Sequence, residues 1–440
     1  MNMICGVSWF KPMIEKPFCT VQAAFLLEKT LEKMGCDVRL FSIGSKLVLS
    51  SLLSLLSLWA GSAVAKNPYP NGGVCDGLPK VNVNTISGTC LGVVASDLKM
   101  PRGVLPLSDA EIWVTEMGSW EKNHGRLSRL SLQGNGHFVR STLLDGLDRP
   151  HAIVQSRDGW VYVAEAGRIV RLNPKASTVV AETVLTGLPD DGHHPLKQML
   201  FDANGDVYLS MGAKTDHCEG KDNAAVGFPC QETRGERATA SIWKITSLLN
   251  QPRISVYARG LRNAMGMAWG PKGALVVTDN GRDNINQADK KLSDAMLPHD
   301  ELNVVKPRRD YGWPYCYDNN RLSPEYRMRS KACAGKAKPV QLLPAHSAPL
   351  GIMLYPNDGD ISALRGQLLI ALHGYRDTGH RVIAVNAETM ASSHEVVGAW
   401  AATDNQPMGA PVELRASPSG ALYITDDRNG ALLRLTRTPR

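Results

Sequence analysis

The sequence lacks the short motifs that mark the commonest cofactor and metal sites. Its nine cysteines include no Cys-x-x-Cys pair and no Cys-x-x-Cys-His segment, which argues against a zinc–thiolate site and a covalent haem. No glycine-rich fingerprint follows a strand and opens a helix, so neither NAD nor FAD is expected. No block of lysine and arginine is interleaved with aromatic residues, and we therefore expect no nucleic-acid partner.

Long helical patterns are also scarce, and a repeated strand phrase fills the chain instead. Each copy is an apolar strand, a turn with Asp-Gly or a similar pair, and a second strand that ends in acidic or polar residues. The six copies begin near Pro101, Pro150, His194, Asn263, Pro349 and Pro411. Repeats of about 40–50 residues with several short strands are typical of a β-propeller. The sequence therefore predicts an all-β fold, a six-bladed β-propeller over residues 101–440, with its functional groups in loops at one mouth of the channel.

The N-terminal segment predicts export. Residues 46–65 have a basic start, an apolar stretch and an Ala-x-Ala end, the pattern of a secretory signal peptide. We expect residues 1–65 to be removed after Ala65, with Met34 as a candidate for the true start and residues 66–100 as an N-terminal arm. A membrane anchor is the alternative interpretation of the apolar run. The predicted location is periplasmic or secreted, with no stable membrane span after cleavage.

The six cysteines beyond that segment form three pairs of near neighbours in the sequence. An even number of cysteines in an exported chain indicates disulfides. Among the possible pairings we predict the local one: Cys75–Cys90, Cys218–Cys230 and Cys316–Cys333.

Two segments that lead into strands carry residues suited to catalysis. His193 and His194 precede the third copy, where an imidazole with a pKa near neutrality is suited to act as a general base. A solvated histidine pair in a turn is the plainer alternative. Arg262 and Asn263 open the fourth copy, and a guanidinium beside a carboxamide suits a ligand with a carboxylate or carbonyl group. The alternative for Arg262 is an ion pair with a neighbouring blade.

A cluster of oxygen ligands follows in the fourth copy. Asp279, Asn280, Asp283, Asp300 and Glu301 lie around a glycine turn that exposes backbone carbonyls. Hard oxygen ligands of this kind suit Ca²⁺. Acids that only serve turns at strand ends are the alternative.

Taken together, these segments resemble the soluble quinoprotein glucose/sorbosone dehydrogenase family and are nearer its sorbosone-type branch. The resemblance covers the chain from about Pro101 onward and rests on GLRNAMGMAW, TDNGRD, DELNVVKPRRDYGWP, HSAPLG and PVELRASPSGALYITDD. The family is a six-bladed propeller that holds pyrroloquinoline quinone (PQQ) over its channel with Ca²⁺. The resemblance implies oxidation of a sugar, polyol or related aldehyde, with hydride transfer to the quinone and an unknown electron acceptor beyond it.

The resemblance also assigns roles to residues that face the cofactor. His194 falls at the position of the catalytic base, and Arg262 and Asn263 match the pair that contacts the quinone. The resemblance also implies a catalytic role for Arg262, which with Ca²⁺ would polarise the quinone carbonyl. His346, in AHSAPLG, and Arg376, in LHGYRD, fall at cofactor-binding positions.

Two calcium sites are implied as well. Gly281 and Arg282 occupy the turn whose backbone carbonyls hold the cofactor's Ca²⁺. Glu301 and the backbone carbonyl of Tyr311 match a second, structural Ca²⁺ site.

The sequence departs from the family pattern around the cofactor's carboxylates. The acid that precedes the base in the glucose-type branch is His193 here, two arginines before the last blade are absent, and Ala410 replaces an arginine found in sorbosone-type sequences. We therefore expect fewer cations toward the quinone. Two other functions stay open: a calcium-dependent propeller lactonase, with a metal ringed by carboxylates and asparagine at the channel centre, and a secreted binding propeller without catalysis.

Overall fold

A computed structural model describes residues 68–69, 72–220, 227–374, 376–398, 400–401 and 407–438. The predicted signal segment, residues 1–65, lies outside these residues. Helical structure in this part of the chain consists of short turns: an α-helix at Ile285–Ala288 and 3₁₀ turns at Gln231–Thr233, Pro271–Gly273, Pro324–Tyr326 and Ser362–Leu364. Among the described residues, no helix is long and apolar enough to span a bilayer.

The strands are short and are numbered in chain order. Those before the first blade are β1 (Val74–Cys75), β2 (Leu78–Pro79), β3 (Asn84–Thr85) and β4 (Thr89–Ala95). Blade 1 contains β5 (Pro101–Pro106), β6 (Glu111–Glu116), β7 (Gly125–Leu132) and β8 (Phe138–Leu147). Blade 2 contains β9 (Ile153–Gln155), β10 (Val161–Ala164), β11 (Arg168–Leu172) and β12 (Glu182–Thr186). Blade 3 contains β13 (Met199–Phe201), β14 (Val207–Met211), β15 (Ser241–Thr246) and β16 (Arg253–Arg259).

The second half of the ring follows the same order. Blade 4 contains β17 (Gly266–Trp269), β18 (Leu275–Asp279), β19 (Asp300–Val305) and β22 (Gln341–Leu343), and a hairpin of β20 (Cys316–Tyr317) and β21 (Arg321–Leu322) lies between its last two strands in sequence. Blade 5 contains β23 (Pro349–Leu354), β24 (Gln367–Leu372), β25 (Arg381–Asn386) and β26 (Ser393–Gly398). Blade 6 contains β27 (Pro411–Ala416), β28 (Leu422–Asp426) and β29 (Ala431–Arg437).

The blades form a closed ring. The first strands of successive blades contact one another around the axis, and β27 of the last blade contacts β5 of the first. Neighbouring strands within each blade are antiparallel, and several are joined by tight turns such as Asp158-Gly159, where Gly159 has a φ of 90° that suits a glycine. The prediction of an all-β, six-bladed propeller is confirmed.

The last blade is closed by a strand from the N-terminal segment. β4 pairs with β29 as the outer strand of blade 6, and β3 pairs with β26 at the edge of blade 5. The segment that we expected to be an arm therefore contributes strands to two blades. The disulfide Cys75–Cys90 ties β1 to β4, and Cys218–Cys230 and Cys316–Cys333 are also formed, so the predicted pairing is confirmed.

Apolar side chains fill the space between neighbouring blades. Six hydrophobic clusters each combine residues of two adjacent blades, as where Trp113 and Leu127 of blade 1 pack with Val161 and Val170 of blade 2. Burial of one such aliphatic side chain contributes about 1.5–3 kcal/mol. The core is thus distributed around the ring, which leaves the axis for other groups.

A smaller cluster lies at one end of that axis. We call it the apolar floor; its members are Met117, Leu196, Met265, Leu350 and Val412. They come from five different blades, and none is more than 8% exposed.

Acids at the ends of the second strands of several blades, or one residue beyond, hold the mouth loops in place. Each accepts a hydrogen bond from a backbone N–H in the loop that leads into its own blade; they are Glu116, Glu165, Asp279 and Asp426. Asp279 accepts two, from Arg262 at 2.9 Å and from Asn263 at 2.7 Å. The acidic ends of the repeated phrase therefore fix the backbone of the loops that carry the candidate residues.

Candidate active site

Two contiguous cavities open at the mouth above the apolar floor. The first, of about 440 Å³, is called the acidic cavity because its wall contains four carboxylates: Asp216, Glu219, Asp283 and Asp300. The second, of about 510 Å³, is called the basic cavity because its wall contains three guanidinium groups: Arg102, Arg376 and Arg428. They share the wall residues His193, His194, Asn263, Asn280 and Ala348. Each volume is in the range of small-molecule sites.

His194 lies in the loop between blades 2 and 3 and faces both cavities. Its Nδ1 lies 2.6 Å from the carbonyl oxygen of Ala213. Because a carbonyl can only accept, Nδ1 carries the proton and Nε2 is the unprotonated nitrogen. His193, by contrast, is exposed, and its ring centroid lies 6.1 Å from that of His194. The second histidine of the pair is therefore the one whose tautomer the protein fixes.

The expectation that His194 has a pKa near neutrality is wrong. Burial, with a further contribution from the positive charge of Arg262, lowers its pKa to about 3. The imidazole is therefore neutral throughout the physiological range. It is a weak base that is always in the form able to accept a proton.

Gly212, which no sequence pattern indicated, sets the distance between two site residues. A β-carbon at this position would lie 2.5 Å from Cβ of His194 and 3.2 Å from Oδ1 of Asn263. The first distance is shorter than any van der Waals contact allows. A glycine here is what permits His194 and Asn263 to approach each other.

Arg262 and Asn263 reach the same mouth from the start of blade 4. The Arg262 side chain is buried and forms an ion pair with Asp216, while its Nε donates to the Asp216 carbonyl at 3.0 Å and its Nη1 to the Asn280 carbonyl at 3.2 Å. The expected ion pair with a neighbouring blade is therefore present, and Arg262 also lines the acidic cavity, while its contact with the quinone stays a prediction. Its charge is already compensated inside the protein.

Asp216 was not among the predicted residues. It lies in the long loop of blade 3 that Cys218–Cys230 closes, and this loop packs against the loop closed by Cys316–Cys333. Burial opposes ionisation of Asp216, but a hydrogen bond from His217 and the charges of Arg262 and Arg282 outweigh it and lower its pKa. The unusual length of the stapled loop was the one available signal for this residue.

His346 and Arg376 are brought together by Asp294, another residue that the sequence did not indicate. Nε2 of His346 donates to the Asp294 carbonyl at 2.6 Å, and Nη2 of Arg376 donates to the Asp294 carboxylate at 2.6 Å. Asp283 hydrogen-bonds to the other nitrogen of His346 and raises its pKa. His346 lines the acidic cavity, and Arg376 lines the basic one.

The four predicted calcium-site residues surround one small cavity of about 30 Å³; they are Gly281, Arg282, Glu301 and Tyr311. Gly281 also lines the acidic cavity, and its N–H donates to Asp300 at 2.8 Å. Arg282 is buried and ion-paired with Glu325. The structure therefore brings together residues that we assigned to two separate ions.

The small cavity suits a cation. The Glu301 carboxylate accepts a hydrogen bond from the Asn303 amide at 3.1 Å, and no basic side chain forms an ion pair with it within the part of the chain that is described. Burial, together with the nearby charge of Asp279, raises the pKa of Glu301 well above its usual range. A space of this size holds about one water or ion. A bound cation would compensate the carboxylate charge that the protein leaves uncompensated.

The mouth also suits a flat, polyanionic quinone such as PQQ, which carries three carboxylates on a fused aromatic system. Leu196, Met265 and Leu350 of the apolar floor line the basic cavity, while its arginines provide positive charge. Arg428, which lines the same cavity as Ala410, supplies one exposed cation against the expected shortage. Arg102 is itself ion-paired with Asp427.

Comparison with known proteins is consistent with this chemistry. The sequence pattern of the family described as Glucose / Sorbosone dehydrogenase matches residues 168–434. The aldose sugar dehydrogenase YliI of Escherichia coli K12 is 23% identical over 353 residues, which cover 73% of this chain and 84% of that protein. A pyrroloquinoline quinone-dependent pyranose dehydrogenase of Coprinopsis cinerea is 22% identical over 425 residues, which cover 82% of this chain and 55% of that protein.

The fold has solved counterparts. An iodide structure of a Trichoderma reesei enzyme of carbohydrate-active enzyme family AA12 superposes with a TM-score of 0.66 at 18% identity, over 85% of this chain and 99% of that one. The chain spans about half the length of two of the curated relatives that it matches, 50% and 55%.

Proposed function

The chain belongs to the glucose/sorbosone dehydrogenase family, and from this premise we propose that it is a PQQ- and calcium-dependent oxidoreductase that oxidises a CH–OH group of a sugar or a related alcohol or aldehyde. The observation that carries the proposal is the position of a neutral, tautomer-fixed His194 at the boundary of the two cavities. The base faces the space above an apolar floor, beside a wall of guanidinium groups.

The proton of the substrate hydroxyl goes to Nε2 of His194. That nitrogen is unprotonated because Nδ1–H donates to Ala213, and the burial that lowers the pKa also keeps competing protons away. The charge that develops on the imidazole is stabilised by Asp216, whose ionised form is held by Arg262. PQQ, when bound, supplies the two-electron acceptor for the hydride of the substrate carbon.

The cofactor would be held by residues from several blades. Asn263, His346 and Arg376 offer an amide, an imidazole and a guanidinium, and Arg428 adds a second exposed cation. Charge-assisted hydrogen bonds of this kind are suited to carboxylates. Reoxidation requires a further electron acceptor, which belongs to the same proposal.

We assign Ca²⁺ to the region between Gly281 and Glu301. The backbone carbonyls of Gly281 and Arg282 would serve the ion that accompanies the quinone, and Glu301 with the Tyr311 carbonyl would serve the structural ion. Ca²⁺ contributes a hard positive charge that polarises carbonyl oxygens and offsets buried carboxylates. The small cavity, which has room for about one ion, and the uncompensated Glu301 beside it support the structural ion. The ion that accompanies the quinone rests on the family resemblance.

The lactonase alternative receives less support. It requires a metal ringed by side-chain carboxylates, whereas the acids of the acidic cavity already have partners: Asp216 is ion-paired with Arg262, Asp283 with His346, and Asp300 accepts backbone N–H groups. The three disulfides favour an oxidising compartment, which agrees with the proposed periplasmic or secreted location.

Reconstitution tests the proposal directly. Purified protein is titrated with PQQ in the presence of Ca²⁺, quinone absorbance reports binding, and dye reduction is followed with aldoses, polyols and sorbosone-like aldehydes. We expect saturable quinone binding and dye reduction with at least one class. If the protein does not bind the quinone, the non-catalytic binding propeller is the better interpretation. Hydrolysis of lactones without dye reduction would favour the lactonase.

A further inference from the structure

One aromatic side chain stands at the rim of the mouth without a role in the chemistry described so far. Trp120 lies in the loop between β6 and β7, is 57% exposed and lines the basic cavity together with His193, His194 and Arg376. Exposed apolar side chains are common, and singly they need no explanation. Among the large exposed apolar residues of the described part of the chain, however, Trp120 alone lines a mouth cavity.

The loop that carries Trp120 is held on both sides. Met117 donates its N–H to Met100 at 3.0 Å and is itself part of the apolar floor, and the N–H of Gly118 donates to Lys99 at 2.9 Å. Gly118 has a φ of 75°, and a β-carbon there would lie 2.0 Å from the His124 carbonyl oxygen. The turn that positions Trp120 therefore requires a glycine and packs tightly.

The same loop is tied to the loop that carries the base. Lys122, two residues after Trp120, forms an ion pair with Asp190, and Asp190 also lies within 3.5 Å of Arg149. Asp190 belongs to the segment that leads to His194. An ion pair therefore links the two loops, and backbone hydrogen bonds at Met117, Gly118 and His193 fix their course, which lowers the entropy lost when a ligand binds there.

The chemistry of this surface matches a sugar ring. The ring C–H groups of a pyranose form a weakly electropositive apolar face, which stacks on the electron-rich face of an indole. Because Trp120 and His194 line the same cavity, a ligand that rests on the indole lies in the space that the base faces. An open-chain polyol offers no such face.

We propose that Trp120 forms a stacking subsite for a pyranose ring, and that it directs the enzyme toward cyclic sugars and away from open-chain polyols and aldehydes. The inference rests on the proposed function for its catalytic consequence, but binding to the subsite is independent of turnover. Two sources of the ring share this chemistry: the sugar that is oxidised, and the next ring of an oligosaccharide.

The test compares Trp120→Ala and Trp120→Phe with the wild-type protein, using Phe228→Ala as a matched control. Phe228 is also an exposed aromatic residue, at 46% exposure, and it lines neither mouth cavity. Calorimetry with methyl β-glucopyranoside and methyl β-cellobioside measures binding to the PQQ- and Ca²⁺-loaded protein, and a quinone absorbance titration measures cofactor affinity separately. Steady-state dye reduction with glucose, cellobiose and sorbitol separates KM from kcat.

We expect Trp120→Ala to weaken glycoside binding about 10-fold, as loss of one aromatic stack does, and to raise KM for the cyclic sugars by a similar factor with kcat within about twofold. Trp120→Phe should be intermediate, and Phe228→Ala and the quinone affinity should be unchanged. A larger loss with methyl β-cellobioside than with methyl β-glucopyranoside identifies the neighbouring ring as the occupant; equal losses identify the oxidised ring.

Unchanged glycoside binding in Trp120→Ala overturns the subsite, as does a loss confined to quinone affinity, or an equal loss with sorbitol. The two proposals fail separately. If the protein oxidises sugars but the variant behaves like wild type, only the subsite is wrong; if it oxidises nothing but the variant loses glycoside binding, only the dehydrogenase function is wrong.

Discussion

The acidic and the basic cavity share five wall residues, yet their charges are handled differently. In the acidic cavity, Arg262 is ion-paired with Asp216 and His346 with Asp283, so that its cations are already matched within the protein. In the basic cavity, Arg102 and Arg376 are paired as well, with Asp427 and Asp294, but Arg376 and Arg428 stand at an exposed rim, and Arg428 forms no ion pair within the described part of the chain. One side therefore holds its cations in pairs beside the base, whereas the other presents two cations to solvent, where an anionic ligand can reach them.

The largest effect is expected at the boundary of the two cavities. Replacing His194 by Ala removes the group that accepts the substrate proton, and turnover should fall about 10²–10⁴-fold, the range for a general base. Folding and quinone binding should be largely intact because the residue lies at a mouth. His193→Ala is the matched control and should lower kcat much less. If both variants lose kcat of the PQQ- and Ca²⁺-loaded enzyme to a similar extent, His194 is not the base.

Gly212→Ala tests whether the spacing of the acidic cavity matters. The added β-carbon displaces His194 or Asn263, and displacement of a catalytic group by about 1 Å can cost around 10²-fold in rate. Gly134→Ala, at a turn where a β-carbon meets nothing within 4 Å, is the control. The measurements are crystal structures of both variants and their kcat values. Full activity in Gly212→Ala would show that catalysis does not need the close approach of His194 and Asn263.

Calcium should stabilise the fold through the small cavity. A ligand at about 100 times its Kd adds about 2.7 kcal/mol to the free energy of unfolding if it binds only the native state, so the melting temperature should rise with added Ca²⁺ and fall with chelator. Glu301→Gln should have opposite effects in the two conditions: more stable than wild type with chelator, because glutamine does not carry the cost of neutralising a carboxylate on burial, and less stable with Ca²⁺. Glu388→Gln, at an exposed turn, should follow wild type. A wild-type melting temperature that is the same with chelator and with excess Ca²⁺ would contradict the assignment.

A smaller effect is expected at the rim of the basic cavity. Arg376→Gln and Arg428→Gln should each weaken PQQ binding about 3- to 5-fold, because exposed charge pairs contribute at most about 1 kcal/mol. Arg157→Gln, an exposed arginine in the turn between β9 and β10, is the control. Absorbance titrations of the quinone give the affinities. If neither variant loses more PQQ affinity than the control, these arginines do not bind the quinone.

The smallest effect concerns pH. His194 has a pKa lowered to about 3, so its neutral form, which can accept a proton, persists as pH falls and is lost only near and below that value. Its ring signals in NMR, identified by their absence in His194→Ala, should therefore not titrate between pH 5 and 8. His346 should titrate above the ordinary histidine range, because its hydrogen bond to Asp283 favours the charged form. An inflection of His194 near neutrality would show that the imidazole is more hydrated than its burial indicates.

Much of the fold was accessible from the sequence because each blade repeats one local pattern. The six phrases located the six inner strands, and the spacing of the cysteines indicated the three disulfides. His194, Asn263 and Gly281 lie at the mouth as the resemblance implied. Nearness to the sorbosone-type branch, the boundary at residue 100 and the roles of the individual site residues stay predictions.

The remaining features depend on contacts between distant segments. Asp216 and Asp294 become site residues only when loops of different blades meet, and Arg102 and Arg428 come from blades that are neighbours solely because the ring closes. The low pKa of His194 follows from its burial, which no local pattern reports. Composition and spacing describe each blade, but the chemistry of the mouth is a property of the ring.

The pairing of β4 with β29 has a consequence for how the protein acquires its structure. The strand that completes the last blade, β4, is synthesised before the first blade. It can form its hydrogen bonds only after β29, the final strand of the ring, has been synthesised. Pairing across such a distance along the chain is entropically costly, and folds dominated by such pairs form slowly. The propeller therefore cannot be completed blade by blade as the chain is made. Until blade 6 has been synthesised, the unpaired edges remain available for aggregation, and a chaperone that covers them would protect the protein during that interval.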